Sequence, residues 1–476
     1  MALLLLALPF LGALAAYVLP SDRFRPALLV ATAAGHLALS ASILLGFVAA
    51  PDGPWLWLDP PGKLVLGLVS VLFFGCAVYA HGYLRFRTGR PNRVFVTCVM
   101  ALTGSLTVAI FARHIGLMWV AVEMSALTAA PLIYFNHNAR SIEATWKYLM
   151  VGSVGVAVAL LGTFFLAYAA VHAGGGPPSL AFDDLARAAP TFSKSWLKAS
   201  FVLLLVGYGT KMGLAPMHTW KPDAYGEAPG LAGALFAGGM TSVAFLAILR
   251  ALHISYAAGL GGFATRLLLV LGLLSMAVAG AFMVGQNDFK RMLAYSSVEH
   301  MGILAIGVGI SGLGAFGAML HLLCNGLAKG VLFLSAANLH RAYGGKTTDE
   351  VTGALRGAPF SGTMFLLGFF AITGAPPFGP FLSELTIARA AFGSGHGGTG
   401  ALYLLFLMVV FLGMGATVLK VTLGDGAGPT TTWRDRAMTS LPILGFMGLV
   451  LALGVYIPVG LEDVLWDAVH WIEGTS

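Results

Sequence analysis

Residues 207–220 read GYGTKMGLAPMHTW, and residues 371–384 read AITGAPPFGPFLSE. Each lies in an apolar stretch of about 20 residues, enough to cross roughly 30 Å of hydrocarbon. Each is also interrupted by proline: Pro216 follows Lys211, and Pro376, Pro377 and Pro380 precede Glu384. Proline removes a backbone donor and clashes with the preceding turn, so both stretches are predicted to be broken helices. Broken, charge-bearing backbone is tolerated at membrane depth only where protein or water covers it. The two segments therefore point to the interior of a larger membrane bundle.

The rest of the chain supplies that bundle. Of its 476 residues 58% are hydrophobic and 10% charged, with a mean hydropathy of +0.85. Soluble proteins carry about 25% charged residues, so a water-exposed globular surface is excluded. Apolar windows recur at approximately 2–20, 26–49, 63–82, 94–112, 114–134, 146–172, 199–217, 229–252, 264–284, 289–310, 314–340, 361–392, 401–421 and 438–459. None shows the alternation of a membrane β-barrel strand. The broken segments are the seventh and the twelfth. If spans four to eight form one unit and nine to thirteen another, both breaks fall in the fourth helix of their unit. An odd number of helices per unit inverts the second against the first, as in many transporters. The expected fold is an all-α polytopic membrane protein of about 14 transmembrane helices, with two inverted five-helix repeats and broken helices 7 and 12. Residues 1–93 would hold three N-terminal helices, 94–252 and 264–421 the repeats, and 438–476 a C-terminal helix and acidic tail.

Scoring alternate loops places 17 of the 27 Lys and Arg on one side and 8 on the other, with Lys211 and Lys329 inside. Positive charge is retained on the cytoplasmic side. The expectation is a bacterial or archaeal cytoplasmic membrane with both termini outside. The N-terminal MALLLLALPFLGALAAYVLP lacks a basic n-region and is read as a retained helix. The long connection at about 173–198, GGGPP followed by SLAFDDLARAA, is expected on the outer surface without chemistry of its own.

Cys76, Cys98 and Cys324 lie far apart with no CxxC or Cys/His spacing, so neither a metal centre nor a cofactor is expected in this chain. The basic residues are scattered and form no nucleic-acid patch, and no phosphate-binding loop is present. Chemistry concentrates instead in buried charge. Glu123, Glu299 and Glu384 lie within apolar spans, with Lys211 and Lys329 as matching cations. Placing each at the bilayer centre costs at least about 2.5 kcal/mol, and five together read as an ion relay. In the eleventh span His321, Asn325 and Lys329 fall at i, i+4 and i+8, lining one helical face over about 12 Å. Water threaded along that face could join them. Burial disfavours the charged form of a lysine and a nearby carboxylate favours it, so alternating Glu/Lys sets can pass a proton on. The expected sets are Glu123 with Lys211 and Lys329 with Glu384. His300 projects about 100° from Glu299, so the two are not expected to face one pathway. Glu143 and Lys147 read equally as a surface pair or a relay entrance. His36 reads as a core residue.

The strings WVAVEMSALTAAPLIY (119–134), GYGTKMGLAPMHTWKPDAYGEAP (207–229), DFKRMLAYSSVEHMGI (288–303), HLLCNGLAKGVLF (321–333) and GAPPFGPFLSEL (374–385) resemble one family. It is the proton-translocating antiporter-like family shared by respiratory complex I, Mrp-type sodium/proton antiporters and membrane-bound group 4 NiFe-hydrogenases. ATWKYLMVGSVGVAVALLGT (144–163) together with SSVEHMGI looks most like the hydrogenase-4 component F branch. The resemblance implies relay roles for Glu123, Lys211, Lys329 and Glu384; the expected relay also takes in Ser242, Glu299, His300, His321 and Asn325, with Glu143, Lys147, His218 and Tyr225 as possible entrance residues. It also exposes departures. Ser242 stands where many relatives have a lysine, Asn325 where a second histidine is common, and Tyr225 where PDAHSE would place a histidine. A hydrated gap near Thr241, Ser242 and His321 is the expected substitute for the missing lysine. The implied function is a non-redox, proton-translocating subunit of a hydrogenase-type oxidoreductase complex, with NiFe and iron–sulfur centres in partner subunits. The alternatives are a cation/proton antiporter subunit, moving sodium as well as protons, or a coupling subunit for inorganic carbon uptake.

Overall fold

The computed structural model describes residues 2–85, 91–171, 179–424 and 428–475. The GGGPP run, Arg87 and Arg90 lie outside these residues. The chain begins with α1 (Ala2–Val18), α2 (Arg25–Leu44) and α3 (Pro60–Leu84). Asp59 caps α3 by accepting from Gly62 N at 3.0 Å. Then follow α4 (Arg93–Phe111), α5 (Ile115–Ile133), α6 (Ala139–Val171), the short α7 (Phe182–Ala188), α8 (Lys194–Met212) and α9 (Lys221–Glu227). α10 (Gly230–Leu235) runs through a π-type turn at Phe236–Met240 into α11 (Thr241–Ala257). The second half contains α12 (Gly261–Met283), α13 (Phe289–Ile310), α14 (Leu313–Tyr343), α15 (Ala354–Gly357), α16 (Pro359–Ile372), α17 (Gly379–Gly393) and α18 (Gly397–Leu423). α19 (Ala437–Val455) and α20 (Val459–Glu473) end it.

Among the described residues eleven helices are long and apolar enough to cross a membrane. The three remaining expected spans are α1, α8 and the α16–α17 pair. Among the described residues there is no sheet, only isolated bridges such as Leu56 with Ala112 and His114 with Ala181. The α10–α11 segment, α13 and α14 are buried along their whole apolar length, whereas α2, α12, α18 and α19 are mostly open to the outside. This makes a central layer ringed by lipid-facing helices. Small residues allow close approach where no hydrophobic effect drives helices together in lipid. A β-carbon on Gly207 of α8 would lie 2.6 Å from that of Ala159 on α6, and one on Gly302 of α13 would lie 2.7 Å from Gly272 O on α12.

Two expectations change. The acidic tail is the amphipathic helix α20, whose Leu465, Ala468, Val469 and Ile472 are buried at i, i+3, i+4 and i+7 against α3 and α11. Glu473 accepts from Gly312 N at 2.6 Å. Second, several cations counted as loop charges are interior: Arg25, Lys221, Arg250 and Lys290 are 0–3% exposed. The alternation of sides itself is visible in the contacts. Lys147, Asp223, Arg291, Lys346, Glu227 and Asp288 converge at one end. Asp52, Arg113 and Asp183 meet at the other. There α7, the SLAFDDLARAA segment, is pinned by Phe182 N to Arg113 O at 2.9 Å and by the Arg113–Asp183 pair at 2.6 Å. The Arg113 guanidinium holds the Asp183 carboxyl below the usual carboxylate range.

Candidate functional site

The site is built on the two helix breaks. α8 stops at Met212 because Gly213 takes φ +83, a left-handed conformation that glycine adopts without penalty. The chain then turns and resumes as α9. α16 stops just before Gly374, at φ +70, and α17 follows. A charged side chain covers each glycine. A β-carbon on Gly213 would lie 2.8 Å from Lys221 Nζ, and one on Gly374 would collide with the Glu384 carboxylate.

Near the first break Lys211 is 1% exposed. Its Nζ donates to the Tyr148 hydroxyl of α6 at 2.8 Å and stands 4.6 Å from that ring's centre. Tyr148 donates onward to Met240 Sδ at 3.5 Å. Glu123 of α5 is half-buried, and its Oε2 lacks a hydrogen-bond partner. The expected Glu123–Lys211 set is therefore not in direct contact: a tyrosine is the lysine's partner.

At the second break α13 organises the site. Asp288 caps it, accepting from Lys290 N at 2.9 Å and Arg291 N at 3.1 Å. Ser296 Oγ accepts from Lys329 Nζ at 2.7 Å, and Leu293 O does so at 3.3 Å. One helical turn on are Glu299 and His300. His300 Nδ1 and His321 Nε2 are 2.9 Å apart, and His321 Nδ1 and Ser383 Oγ are likewise 2.9 Å apart. Ser383 donates to Pro380 O at 2.9 Å. That last bond fixes the direction of the chain: His321 Nδ1–H donates to Ser383, and His300 Nδ1–H donates to His321 Nε2. His300 Nε2 is left as a bare acceptor, 3.8 Å from Glu299 Oε2.

The Glu299 and His300 side chains thus turn toward each other, contrary to expectation. The 100° between neighbours separates their β-carbons, but two long side chains close that angle. The Lys329–Glu384 set is also revised. Lys329 rests on Ser296, while Glu384 groups with the histidines: donor atoms of His300, His321 and Glu384 lie within 4.8 Å of one another. These three could approach a metal ion, but the His–His bond occupies two of the nitrogens it would need. The arrangement is a continuous hydrogen-bonded row from His300 through His321 to Ser383. Glu384 Oε1 and Asn325 Oδ1 are buried without partners.

The expected central link does not assemble. Thr241 and Ser242 turn their hydroxyls back to Ala237 O and Gly238 O, both at 2.6 Å, as such residues do inside apolar helices. His321 is bonded elsewhere. Tyr225 is not a surface gate: it is 0% exposed, among Trp220, Phe236 and Phe333. His218 is 7% exposed in the turn before α9. Glu143 and Lys147 form an exposed pair at 2.6 Å, extended by Lys147 to Asp223 at 2.9 Å. They line a cavity of about 530 Å³ with Arg140, Glu227 and Asp288. His36 is a core residue bonded to Thr107 at 2.9 Å.

Lys221, Tyr148, Ser296, Ser297 and Ser383 were not singled out in the sequence. Lys221 carried a readable signal, since it lies five residues after Pro216 in the same interrupted helix, but its Pro-Asp neighbours read as loop.

The family described as "NADH:quinone oxidoreductase/Mrp antiporter, TM" matches residues 112–413. The Hydrogenase-4 component F homolog of Methylacidiphilum infernorum (isolate V4) is 32% identical over 461 residues, covering 94% of this chain and 95% of that protein. Among solved structures, a chain of the membrane-bound sulfane sulfur reductase, an archaeal respiratory membrane complex, superposes with a TM-score of 0.89 at 22% identity, covering 99% of this chain and 97% of its own. A chain of the Mrp complex from Dietzia sp. DQ12-45-1b gives 0.84 at 20% identity, covering 99% and 98%. In both complexes a subunit of this fold sits with other subunits. The chain therefore belongs to the NADH:quinone oxidoreductase/Mrp antiporter family of membrane subunits.

Proposed function

We propose that this chain is the proton-translocating, non-redox subunit of a hydrogenase-type oxidoreductase complex whose NiFe and iron–sulfur centres lie in partner subunits. One observation carries the reading: buried ionisable groups span both breaks, from Lys211, with half-buried Glu123 on α5, through Lys329 and Glu299 to the His300–His321–Ser383 row and Glu384. Hydroxyls and imidazoles both accept and donate, which a Grotthuss path requires. In this reading the Glu143–Lys147 cavity is the entrance and Glu384 the far end. Residues 94–252 and 264–421 are the inverted halves, and the termini lie outside. The near full-length match to a hydrogenase-4 component F homolog favours this assembly over an antiporter.

The test is Lys211→Ala in the complex purified through a tag on this chain and reconstituted in proteoliposomes. Proton uptake per turnover is expected to fall more than about tenfold, the scale of losing a positioned acid–base group, with assembly retained. Near-normal uptake by the assembled variant would remove Lys211 from the mechanism. Copurification of NiFe and iron–sulfur subunits tests the assembly itself.

A further inference from the structure

We propose that Lys221 is the proton-carrying bridge between the two halves, in place of the hydroxyl link that Ser242 does not make. This rests on the relay reading above. Lys221 opens α9, directly after the first break, and is 0% exposed. Its aliphatic chain lies over Gly213, two residues beyond Lys211. Its Nζ donates to Ser297 Oγ at 3.0 Å and approaches Ser297 O at 3.4 Å. The preceding residue of α13, Ser296, holds Lys329 Nζ at 2.7 Å. Adjacent serines of one helix thus carry a lysine from each half, on α-carbons about 3.8 Å apart.

No carboxylate lies within 4.0 Å of Lys221 or of Lys329 among the described residues, so neither is neutralised by an ion pair. Charges in a membrane interior pair with one another or with backbone carbonyls; here each ammonium has one serine hydroxyl and one longer carbonyl contact, of 3.4 Å to Ser297 O and 3.3 Å to Leu293 O. Two ammonium groups in this low-dielectric layer repel, so a proton arriving on one favours departure from the other. The step is a proton transfer alone: an N–H bond of the Lys221 ammonium breaks, one forms on the Lys329 amine through the serine hydroxyls or water, and no electron moves. The placement repeats at the second break, where Glu384 covers Gly374 as Lys221 covers Gly213.

The experiment compares Lys221→Met, Lys221→Arg and Lys211→Ala in the reconstituted complex, reading protons taken up per turnover, with assembly read by copurification. Arginine keeps the charge and the donors to Ser297 but does not release a proton. Both Lys221 variants are expected to lose more than about tenfold of uptake, the Arg variant with normal assembly. Wild-type uptake by Lys221→Arg overturns the proposal and makes Lys221 a structural cation. Wild-type uptake by Lys221→Met overturns it too. If either result comes with a dead Lys211→Ala, the relay reading survives without this bridge; if Lys211→Ala also pumps normally, that reading fails as well.

Discussion

Glu384 shows how much a single side chain is asked to do. It is 6% exposed, packs over Gly374, and keeps Oε1 without a hydrogen-bond partner, a state that costs stability. If ionisation there matters, Glu384→Gln blocks pumping at the far end of the row while Glu384→Asp retains a part, since a methylene of reach is secondary to charge. Equal proton uptake by the Gln and Asp variants would show that ionisation at this position is unimportant. Residues such as Glu384, Lys211 and Lys329 were legible in the sequence because a charge inside an apolar window is costly and must face protein or water. Lys221 and Lys290 were not, because each sits beside an aspartate or arginine in a string that reads as a loop, and only the fold shows the string turning inward. The serines of α13 were illegible for another reason: a buried serine usually bonds its own helix, as Ser242 does, and nothing in YSSVEH distinguishes the two that bond lysines instead.

At the scale of elements, spans of apolar residues gave the helices, while their joints were less visible. The π-type turn before α11 has no proline to announce it, and α20 was hidden because its acidic face dominates a short sequence. The long connection was read as a surface segment without chemistry of its own, yet α7 is a fastened strap. Phe182, Leu185 and Ala186 are buried beneath it, and Asp183 accepts from Arg113 at 3.0 and 2.6 Å. Because the hydrogen bonds and charge of Arg113 hold the Asp183 carboxyl below its usual pKa in the folded chain, the tie contributes fully above the unfolded carboxylate range and is lost as pH falls below about 4 and through the lower folded value. Asp183→Asn imitates that loss at neutral pH. Hydrogen-exchange protection factors of residues 179–192, which divide out the intrinsic pH dependence of amide exchange, are expected to fall in the variant at pH 7 and in the wild type only on acidification. Identical exchange in the two proteins at pH 7 would mean that apolar burial alone holds the strap.

For the molecule as a whole, the question is which buried charges move protons and which hold helices together, and hydrogen-bond saturation separates them. Arg250 of α11 is as buried as Lys211, yet all its donors are used. Nε and Nη2 grip Asp59 at 2.8 and 3.1 Å, Nη2 also reaches Ile110 O at 2.6 Å, and Nη1 reaches Ala109 O and Ala112 O at 3.1 and 3.0 Å. The guanidinium thereby joins the capping residue of α3 to the last carbonyls of α4, which a helix cannot satisfy by itself and whose partial charge favours a cation. Glu123, Glu384 and His300 each retain an unpartnered atom, room for a proton to arrive or leave. Arg250→Met is accordingly expected to destabilise the chain by about 3–5 kcal/mol, because Asp59 and three carbonyls lose their partner. Arg250→Lys is expected to recover only part of this, since an ammonium cannot reproduce the fork. The measurement is the thermal inactivation midpoint of the purified complex alongside proton uptake per assembled complex. The midpoint is expected to drop in both Arg250 variants while uptake per surviving complex stays near wild type, the reverse of the pattern expected for Lys211 and Lys221. A stable Arg250→Met complex that no longer pumps would place Arg250 in the proton path and show that saturation does not distinguish fastening charges from moving ones.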